Sequence, residues 1–277
     1  MTSVTSNIRS RFLFFVLFAF IAASSALTQT AVTKAERGSQ IAKAGFKNED
    51  EIAAKFRAWR DDPDSRDWLR VMGHKLEDVT DVATSKPHGE KADITVAVTS
   101  SKGTIEHGIS IKLVSSPNGF NQIDKRWLRQ YVKLWSMPTD VESALKLFLG
   151  EAPPSKPSRV ANRMFLTELD PTARNAVVDF FTANKARIVS DLIAGDGEHA
   201  ADWIMVAFKA TSNTRWTLKS TDAAAAYFAD GKVEVTRAGN LKIGRVSMQR
   251  KGGDGGRETA KMLQFKINPV QLFEAAQ

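Results

Sequence analysis

One acidic and one basic side chain stand near the ends of two strand-like segments in the middle of the chain. Asp93 lies in a β-branched run at residues 92–98, and Lys112 lies in a second run at residues 108–114, after a polar Ser-Ser-Lys-Gly turn. Alternating β-branched residues on both sides of a short turn are typical of a β-hairpin. In such a hairpin the carboxylate and the ammonium group can reach one cleft, where the first binds a hard cation and the second orients or deprotonates a nucleophile. The pattern indicates phosphodiester hydrolysis, with two unrelated surface charges as the alternative.

The composition describes an ordinary globular chain. It has 277 residues, of which 43% are apolar and 25% charged, and this balance excludes a disordered chain. The net charge of +8 favours a partner that carries phosphates, although excess charge also serves solubility. The absence of cysteine excludes a disulfide framework and a thiolate metal site.

The first 31 residues differ from the rest. Arg9 and Arg11 precede an apolar run at residues 12–21 and small residues through Ala26, which is the order of a secretory signal peptide. The run is shorter than the roughly 20 residues that span a bilayer. The alternative is that translation starts later, at or near Val32 from a non-ATG codon, so that residues 1–31 are a gene-prediction extension.

The segment before the hairpin predicts two helices and a loop. Residues 40–60 form an amphipathic helix, in which Asn48 caps the stretch that starts at Glu49. Lys43 and Lys47 on its polar side favour a helix lying along a nucleic-acid groove, with Glu49 or Glu51 available to a metal site; a solvated outer face is the alternative. A shorter helix spans residues 64–74, and a polar loop spans residues 80–91.

After the hairpin, residues 115–119 predict a turn and residues 120–131 the entry into a helix with Asn121 near its N-terminus. Phe120 could insert at a base step, while Asn121, Gln122 and Lys125 could contact bases or phosphates. Alternatively, Phe120 fixes the start of the helix to the core.

The second half predicts alternating helices and strands. A Pro-rich connector at residues 152–162 is the best internal boundary, but its two sides look too interdependent to be separate domains. The predicted helices span residues 135–150, 170–193 (capped by Asp170) and 222–228, and the predicted strands span residues 203–208, 215–218, 232–237 and 242–248.

A basic segment near the C-terminus adds a second candidate for nucleic-acid binding. A strand brings Gln249, Arg250 and Lys251 to a loop of four glycines, and Arg257 returns from it. Glycines allow close approach of the backbone, and bidentate donors at a strand end can read guanine in the major groove. A solvated basic hairpin tip is the alternative.

Several of these segments together resemble the HinP-type type II restriction endonucleases, members of the PD-(D/E)XK nuclease superfamily. The resemblance extends over about residues 32–273, and the segments that carry it are residues 45–49, 72–74, 112–115, 119–125, 249–254 and 256–260. It implies an α/β fold with a restriction-endonuclease-like core, in which helices flank a central mixed β-sheet, and a single endonuclease domain at residues 32–277.

The resemblance also implies an activity and a catalytic site. The activity is Mg²⁺-dependent cleavage of double-stranded DNA within the palindrome GCGC, which leaves a short 5′ extension and 5′-phosphates. The family motif places its metal-binding aspartate at Asp93, its middle position at Ser110 and its lysine at Lys112. Serine departs from the usual glutamate or amide and offers one neutral oxygen, so it binds a metal weakly or through water. Glu49, Glu51 or Glu106 would supply a compensating oxygen.

By the same resemblance Phe120 lies in a loop that distorts the duplex, and the contacts to bases and phosphates come from Gln122, Lys125, Gln249, Arg250, Lys251 and Arg257. A restriction enzyme meets incoming DNA in the cytoplasm beside a DNA methyltransferase, which favours the start near Val32. A homodimer on the palindrome and a monomer that cuts one strand at a time both remain open. The alternatives are a GCGC-binding protein with impaired cleavage because of Ser110, and an exported, less specific nuclease.

Overall fold

The computed structural model describes residues 34–87, 91–195, 200–210, 213–253 and 257–275. The predicted signal-like segment, residues 1–31, lies outside them. The helices in the described part are α1 Lys34–Arg57, α2 Pro63–Val71, α3 Leu128–Trp135, α4 Thr139–Leu149, α5 Pro171–Ala183, α6 Lys185–Ala194 and α7 Thr221–Ala229. The strands are β1 Val79–Ser85, β2 Ile94–Ser100, β3 Gly103–Val114, β4 Asn121–Arg126, β5 Trp203–Phe208, β6 Arg215–Ser220, β7 Val233–Val235, β8 Leu241–Ile243, β9 Val246–Arg250 and β10 Leu263–Ile267.

The first sheet is mixed and has the strand order β1-β2-β3-β5-β6. Strands β3 and β5 run parallel, and the other neighbouring pairs are antiparallel. Because side chains alternate between the faces of a strand, Ile109 and Ile111 of β3 face one side, and Ser110, Lys112 and Val114 face the other. The predicted central mixed sheet flanked by helices is thus confirmed.

Helices α1 and α2 cover the first of these faces. Their buried side chains form one apolar cluster with the sheet, in which Phe56 and Trp68 meet at a ring-centroid distance of 5.1 Å. Burial of such aromatic and aliphatic groups contributes roughly 25 cal/mol per Å² of apolar surface. The cluster also includes Ile52, Trp59, Leu69, Ile94, Val96, Ile109, Ile111 and Met205.

The second sheet is antiparallel and has the order β4-β10-β9-β8-β7. One of its faces packs against the later helices in a larger apolar cluster that includes Val114 and Val206 of the first sheet. Tyr131 and Trp135 of α3 pack edge-on against Phe265 of β10 at 5.2 and 5.6 Å. The other face of this sheet is polar and carries three of the predicted DNA contacts, Gln122, Lys125 and Gln249.

The hairpin and several boundaries agree with the sequence predictions. Strands β2 and β3 pair antiparallel from Ile94↔Ile109 to Ser100↔Gly103. Helix α2 ends before Gly73, whose φ of 89° favours glycine. Asp170 caps α5 as predicted, because its carboxylate accepts a hydrogen bond from Ala173 N at 2.9 Å.

Two predictions about strands are wrong. Residues 80–91 were expected to form a loop, but Val79–Ser85 form β1, an edge strand whose polar outer residues hide its pattern. Residues 121–126 were expected to begin a helix, but they form β4, because β10 supplies ladder partners from far along the chain. The helix starts only at Leu128, where Gln130 Oε1 accepts from Trp127 N at 3.0 Å.

The remaining corrections concern breaks within elements. Residues 135–150 do not form one helix, since α3 ends at Trp135 and α4 starts after Pro138. The predicted helix at residues 170–193 is divided at Asn184 into α5 and α6. The predicted strand at residues 242–248 is the hairpin β8–β9, which turns at Gly244 with a φ of 58°. Asn48 is not a cap, because it lies buried inside α1.

Among the described residues, no helix combines the length and the apolar character that crossing a membrane requires.

Candidate active site

The predicted catalytic side chains converge at one end of the β2–β3 hairpin. Lys112 Nζ donates to Ser110 Oγ at 2.9 Å and lies 3.7 Å from Asp93 Oδ2. Ser110 Oγ lies 3.4 Å from the same carboxylate oxygen. Strand alternation explains the geometry, since Ser110 and Lys112 are two residues apart on one face of β3, and Asp93 immediately precedes the paired strand β2.

Backbone contacts hold this group in place. Ile111 N donates to Asp93 Oδ2 at 2.5 Å, and Asp93 N donates to Ile109 O at 2.9 Å. Lys112 Nζ also donates to Ile111 O at 3.1 Å. The side chain of Lys112 is 14% exposed and that of Asp93 is 32% exposed, so the ammonium group is sheltered while the carboxylate remains reachable.

The oxygen donors at this point suit a hard divalent cation. Asp93 supplies a carboxylate, Ser110 a hydroxyl and Ile111 a backbone carbonyl. Among the described residues, no group of three or more His, Asp and Glu side chains could hold a metal ion. Mg²⁺ is commonly bound by one or two carboxylates, with water and substrate phosphate completing the shell, so this small donor set fits Mg²⁺ and does not form an all-protein cage.

Of the three carboxylates predicted to compensate for Ser110, Glu49 and Glu51 bond to lysines, and Glu106 lies farther along the hairpin. Glu49 Oε2 accepts from Lys86 Nζ at 3.3 Å, and Glu51 Oε2 accepts from Lys209 Nζ at 2.6 Å. Glu106 lies on β3 opposite Ala97, near the middle of the hairpin and away from Lys112. None of these contacts joins Glu49, Glu51 or Glu106 to Asp93.

A lysine that the sequence analysis did not single out lies beside the catalytic group. Lys91 Nζ donates to Ile123 O at 2.8 Å and to Leu192 O at 2.5 Å. Burial, followed by repulsion from Lys112, lowers the pKa of Lys91 to about 8. Because Ile123 is in β4 and Leu192 is in α6, Lys91 joins the chain next to Asp93 to both elements.

The polar face of the second sheet consists of Gln122, Lys125, Ser247, Gln249, Gln264 and Lys266. Cross-strand register defines this face, since Gln264 is opposite both Gln249 and Lys125, while Lys266 is opposite both Gln122 and Ser247. Of the predicted DNA contacts, Gln122, Lys125 and Gln249 are therefore brought together, and Lys251 follows at the end of β9. Gln264 and Lys266 were missed, although alternation along β10 indicates them once β9 and β4 are known to be its neighbours.

A row of amides crosses three strands of this face. Gln249 Nε2 donates to Gln264 Oε1 at 3.2 Å, and Gln264 Nε2 donates to Gln122 Oε1 at 2.6 Å. Gln264 is 7% exposed, whereas Gln249 is partly exposed and Gln122 is exposed. The two outer amides can contact a ligand while the middle one is covered.

Phe120 and Asn121 stand where β3 leads into β4. The ring of Phe120 is 55% exposed, so it is not fixed in the apolar core, which favours the duplex-inserting prediction over the packing one. Asn121 Nδ2 donates to Leu113 O at 3.0 Å and so fastens the start of β4 beside Lys112. Asn121 thus has a structural contact in addition to its predicted contact with DNA.

The remaining predicted DNA contacts do not lie on the polar face. Arg250 points to the opposite side of β9, where its Nε donates to Leu149 O at the end of α4 at 2.8 Å. Arg257 is exposed next to residues 254–256, which complete the glycine loop and lie outside the described residues. Lys43 and Lys47 are exposed on α1.

The comparison with protein-family models shows to which family this chain belongs. A family model described as the R.HinP1I restriction endonuclease matches residues 72–273, a span that contains both the catalytic group and the polar face. The chain belongs to the R.HinP1I restriction endonuclease family. Membership of the R.HinP1I family makes it a DNA-cleaving hydrolase of a restriction system, and restriction endonucleases generally use a divalent metal ion.

A solved structure supports the fold of this R.HinP1I-family chain. The chain is similar to the restriction endonuclease MspI in complex with its cognate DNA, with a TM-score of 0.58 and 14% identity over 79% of this chain and 87% of that chain. At this identity the likeness establishes the restriction-endonuclease fold. No curated protein matches the chain in sequence.

Proposed function

We propose that this protein is a type II endonuclease of the PD-(D/E)XK superfamily that cleaves double-stranded DNA at GCGC and requires Mg²⁺. The observation that carries the proposal is the convergence of Asp93, Ser110 and Lys112, with Lys112 Nζ 2.9 Å from Ser110 Oγ and 3.7 Å from Asp93 Oδ2. Family membership supports the DNA substrate. The resemblance of residues 119–125 and 249–260 to HinP-type enzymes supports the GCGC site.

Asp93, Ser110 and Lys112 have different roles in the proposed hydrolysis. Asp93 provides the anionic ligand for the cation, and Ser110 provides a neutral oxygen directly or through water. When bound, Mg²⁺ supplies Lewis-acid stabilisation of charge on the phosphate oxygens. Lys112, held by Ser110 and Ile111, presents an ammonium group that orients the attacking water and stabilises the negative charge on the phosphate oxygens.

Strand β4, which carries Gln122 and Lys125, is hydrogen-bonded to the segments next to Asp93 and Lys112. Lys91, which precedes Asp93 by two residues, donates to the carbonyl of Ile123 in β4. Asn121, also in β4, donates to the carbonyl of Leu113, the residue after Lys112. A displacement of β4 on a duplex is therefore transmitted to both sides of the catalytic group. This connection supports a site-specific enzyme in which Phe120, Gln122 and the polar face contact the same duplex that Asp93 and Lys112 cut.

Digestion of plasmid DNA tests the proposal. Purified protein with Mg²⁺ is expected to give discrete fragments whose ends map to GCGC and carry 5′-phosphates, and methylation of GCGC by a matching methyltransferase is expected to block cutting. Asp93→Ala should abolish cutting while it largely spares binding. Fragments that end at another sequence would reject GCGC, and cutting by Asp93→Ala would remove Asp93 from the mechanism.

A second candidate function follows from Ser110. A neutral hydroxyl at the middle position provides less negative charge than a carboxylate, so a GCGC-binding protein with impaired cleavage is the alternative. It predicts retardation of a GCGC duplex without cutting in the same experiment, whereas an exported, less specific nuclease predicts a smear. Sedimentation with and without duplex distinguishes a homodimer on the palindrome from a monomer.

A further inference from the structure

We propose that Gln264 is a positioning residue that fixes which polar groups Gln122 and Gln249 present to DNA. This inference rests on the proposed DNA-binding function of the polar face and names its specificity. In this arrangement Gln122 presents hydrogen-bond donors to guanine, and Gln249 presents an acceptor to cytosine.

The argument starts from the burial of Gln264. Gln264 is 7% exposed, and a buried amide without partners destabilises the fold, so its oxygen and nitrogen both need partners. Gln264 Oε1 accepts from Gln249 Nε2 at 3.2 Å, and Gln264 Nε2 donates to Gln122 Oε1 at 2.6 Å. The flanking strands β9 and β4 thus supply one partner each, and in the structure the central amide accepts on the β9 side and donates on the β4 side.

The orientation of the Gln264 amide determines which hydrogen-bonding groups of Gln122 and Gln249 remain available to a ligand. The carbonyl oxygen of Gln122 receives the bond from Gln264, which leaves the two amide hydrogens of Gln122 for a ligand. Gln249 gives one amide hydrogen to Gln264, which leaves its carbonyl oxygen as an acceptor beside its second amide hydrogen. The row therefore has a donor end at β4 and an acceptor end at β9.

These two ends match the major-groove edge of a G·C pair. Guanine presents the acceptors O6 and N7, whereas cytosine presents the N4 amino group as a donor. Gln122 therefore suits guanine, and Gln249 suits cytosine. A glutamine that turned freely would present either edge and would not discriminate between them, so Gln264 contributes specificity without touching a base.

The test substitutes Gln264 in the full-length protein in two ways. Gln264→Glu keeps the shape but offers acceptors to both neighbours, so Gln122 must turn its amide hydrogens inward and present its carbonyl oxygen outward. Gln264→Leu releases both neighbours. Preferences are measured by binding selection from a duplex library randomised across its centre, followed by equilibrium binding to the selected duplex and its single-base variants, without Mg²⁺ to prevent cutting.

The expected results differ between the two variants. Gln264→Glu should lose or reverse preference by roughly 5- to 100-fold at the guanine that Gln122 reads and keep it at the cytosine that Gln249 reads. Gln264→Leu should lose preference at both positions. The dependence of affinity on salt should not change, because the phosphate contacts remain. A change in affinity that is equal for all duplexes, with the base profile unchanged, would overturn the positioning role.

A variant of the exposed residue Gln122 tests the same prediction without a substitution at the buried Gln264, which could disturb folding. Gln122→Glu retains an acceptor for Gln264 Nε2 but cannot donate outward, so it should reject guanine at the same position as Gln264→Glu. Asn184→Ala is the matched control, since it removes an amide that bonds to Phe180 O at 2.9 Å between α5 and α6, and it should keep the wild-type profile.

The selection separates this inference from the proposed function. If the wild-type protein selects a sequence other than GCGC but the Gln264 variants alter that selection as described, the GCGC proposal fails and the positioning role stands. If it selects GCGC and the Gln264 and Gln122 variants do so equally well, only the positioning role fails. A wild-type protein without any base preference would overturn both.

Discussion

The ammonium nitrogen of Lys112 lies 3.7 Å from Asp93 Oδ2 and 2.9 Å from Ser110 Oγ, and these two oxygens are 3.4 Å apart. Lys112 lies on β3 and Asp93 immediately precedes β2, so the antiparallel pairing of β2 with β3 fixes the separation of the two charges. At this distance the carboxylate of Asp93 attracts the ammonium group of Lys112 and keeps it at the predicted metal site. A phosphate oxygen that approaches the metal would therefore also meet this positive charge.

Replacing Lys112 with Met should reduce cleavage by about 10²–10⁴-fold, because it removes the group that orients water and stabilises charge in the transition state. Duplex binding should be retained, since Gln122, Gln249 and Phe120 are unchanged. Single-turnover cleavage and equilibrium binding measure the two effects separately. Loss of binding in proportion to cleavage would show that Lys112 acts mainly by holding DNA.

Replacing Ser110 with Gln should strengthen the metal site. The amide oxygen reaches farther than the hydroxyl and is a better ligand for a hard cation, so the Mg²⁺ concentration that gives half-maximal cleavage should fall. Ser110→Ala is the matched control and should raise that concentration. Because Ser110 is buried, unfolding in urea must accompany the Mg²⁺ titration to exclude overpacking. An unchanged requirement for Mg²⁺ in both variants would exclude residue 110 from the metal site.

Phe120→Ala should weaken binding to a duplex that must be distorted, with stability unchanged within about 0.5 kcal/mol, as expected for an exposed side chain. A fluorescent base analogue at the recognition site reports unstacking and should respond less to this variant than to the wild type. Ile105→Ala is the control, because Ile105 is 56% exposed, close to the 55% of Phe120, but lies near the tip of the hairpin. An equal response of Phe120→Ala and the wild type would exclude insertion.

The sequence predicts the β2–β3 hairpin because its determinants are local. Ser110 and Lys112 lie on β3 and Asp93 immediately precedes β2, and period-two alternation places Ser110 and Lys112 on one face. The strand β4 could not be predicted in this way, since residues 121–126 contain one aliphatic side chain, Ile123, and become a strand only by pairing with β10.

The same distinction applies to the residues that sequence reasoning missed. The proposed role of Gln264 depends on its hydrogen bonds to Gln249 and Gln122, and Gln122 is 142 residues away in the chain. Lys91 bonds to carbonyls 32 and 101 residues away, and no local pattern contains that information. Conversely, the position of Arg250 at a strand end before a glycine loop predicts a base contact, whereas in the structure its Nε donates to the carbonyl of Leu149.

Lys91→Met should lower both stability and cleavage. Without the ammonium group the carbonyls of Ile123 and Leu192 lose a charged donor, which costs about 1–3 kcal/mol, and the link between β4 and the catalytic group is broken. Lys219→Met is a matched control, because Lys219 Nζ donates to the carbonyl of Ala275 at 2.8 Å in another part of the fold. The control should lose stability but retain cleavage at temperatures where it is folded. Equal cleavage by the two variants would reduce Lys91 to a structural role.

A pair of histidines should make stability depend on pH. His74 Nε2 and His107 Nε2 lie 2.8 Å apart, and Trp203 Nε1 donates to His107 Nδ1 at 3.2 Å. Since Nδ1 of His107 accepts, its Nε2 carries the proton and donates to His74. Protonation of His107 would set its Nδ1–H against the indole N–H. Burial lowers the pKa of both rings, and for His107 the charge of His74 adds to this while Asp202 opposes it.

Because both pKa values are lower in the folded protein, the unfolded chain takes up protons first as the pH falls. The contribution of the pair is complete above the unfolded value of about 6.5 and is lost as the pH falls through the lowered folded values. Urea unfolding between about pH 7.5 and 5.5 should show falling stability in the wild type, in the window where histidine titrates and most carboxylates do not. His74→Gln, which leaves one titrating ring, should flatten that slope, and the double variant with His107→Gln should flatten it further. Equal slopes in all three proteins would show that the pair does not control acid stability.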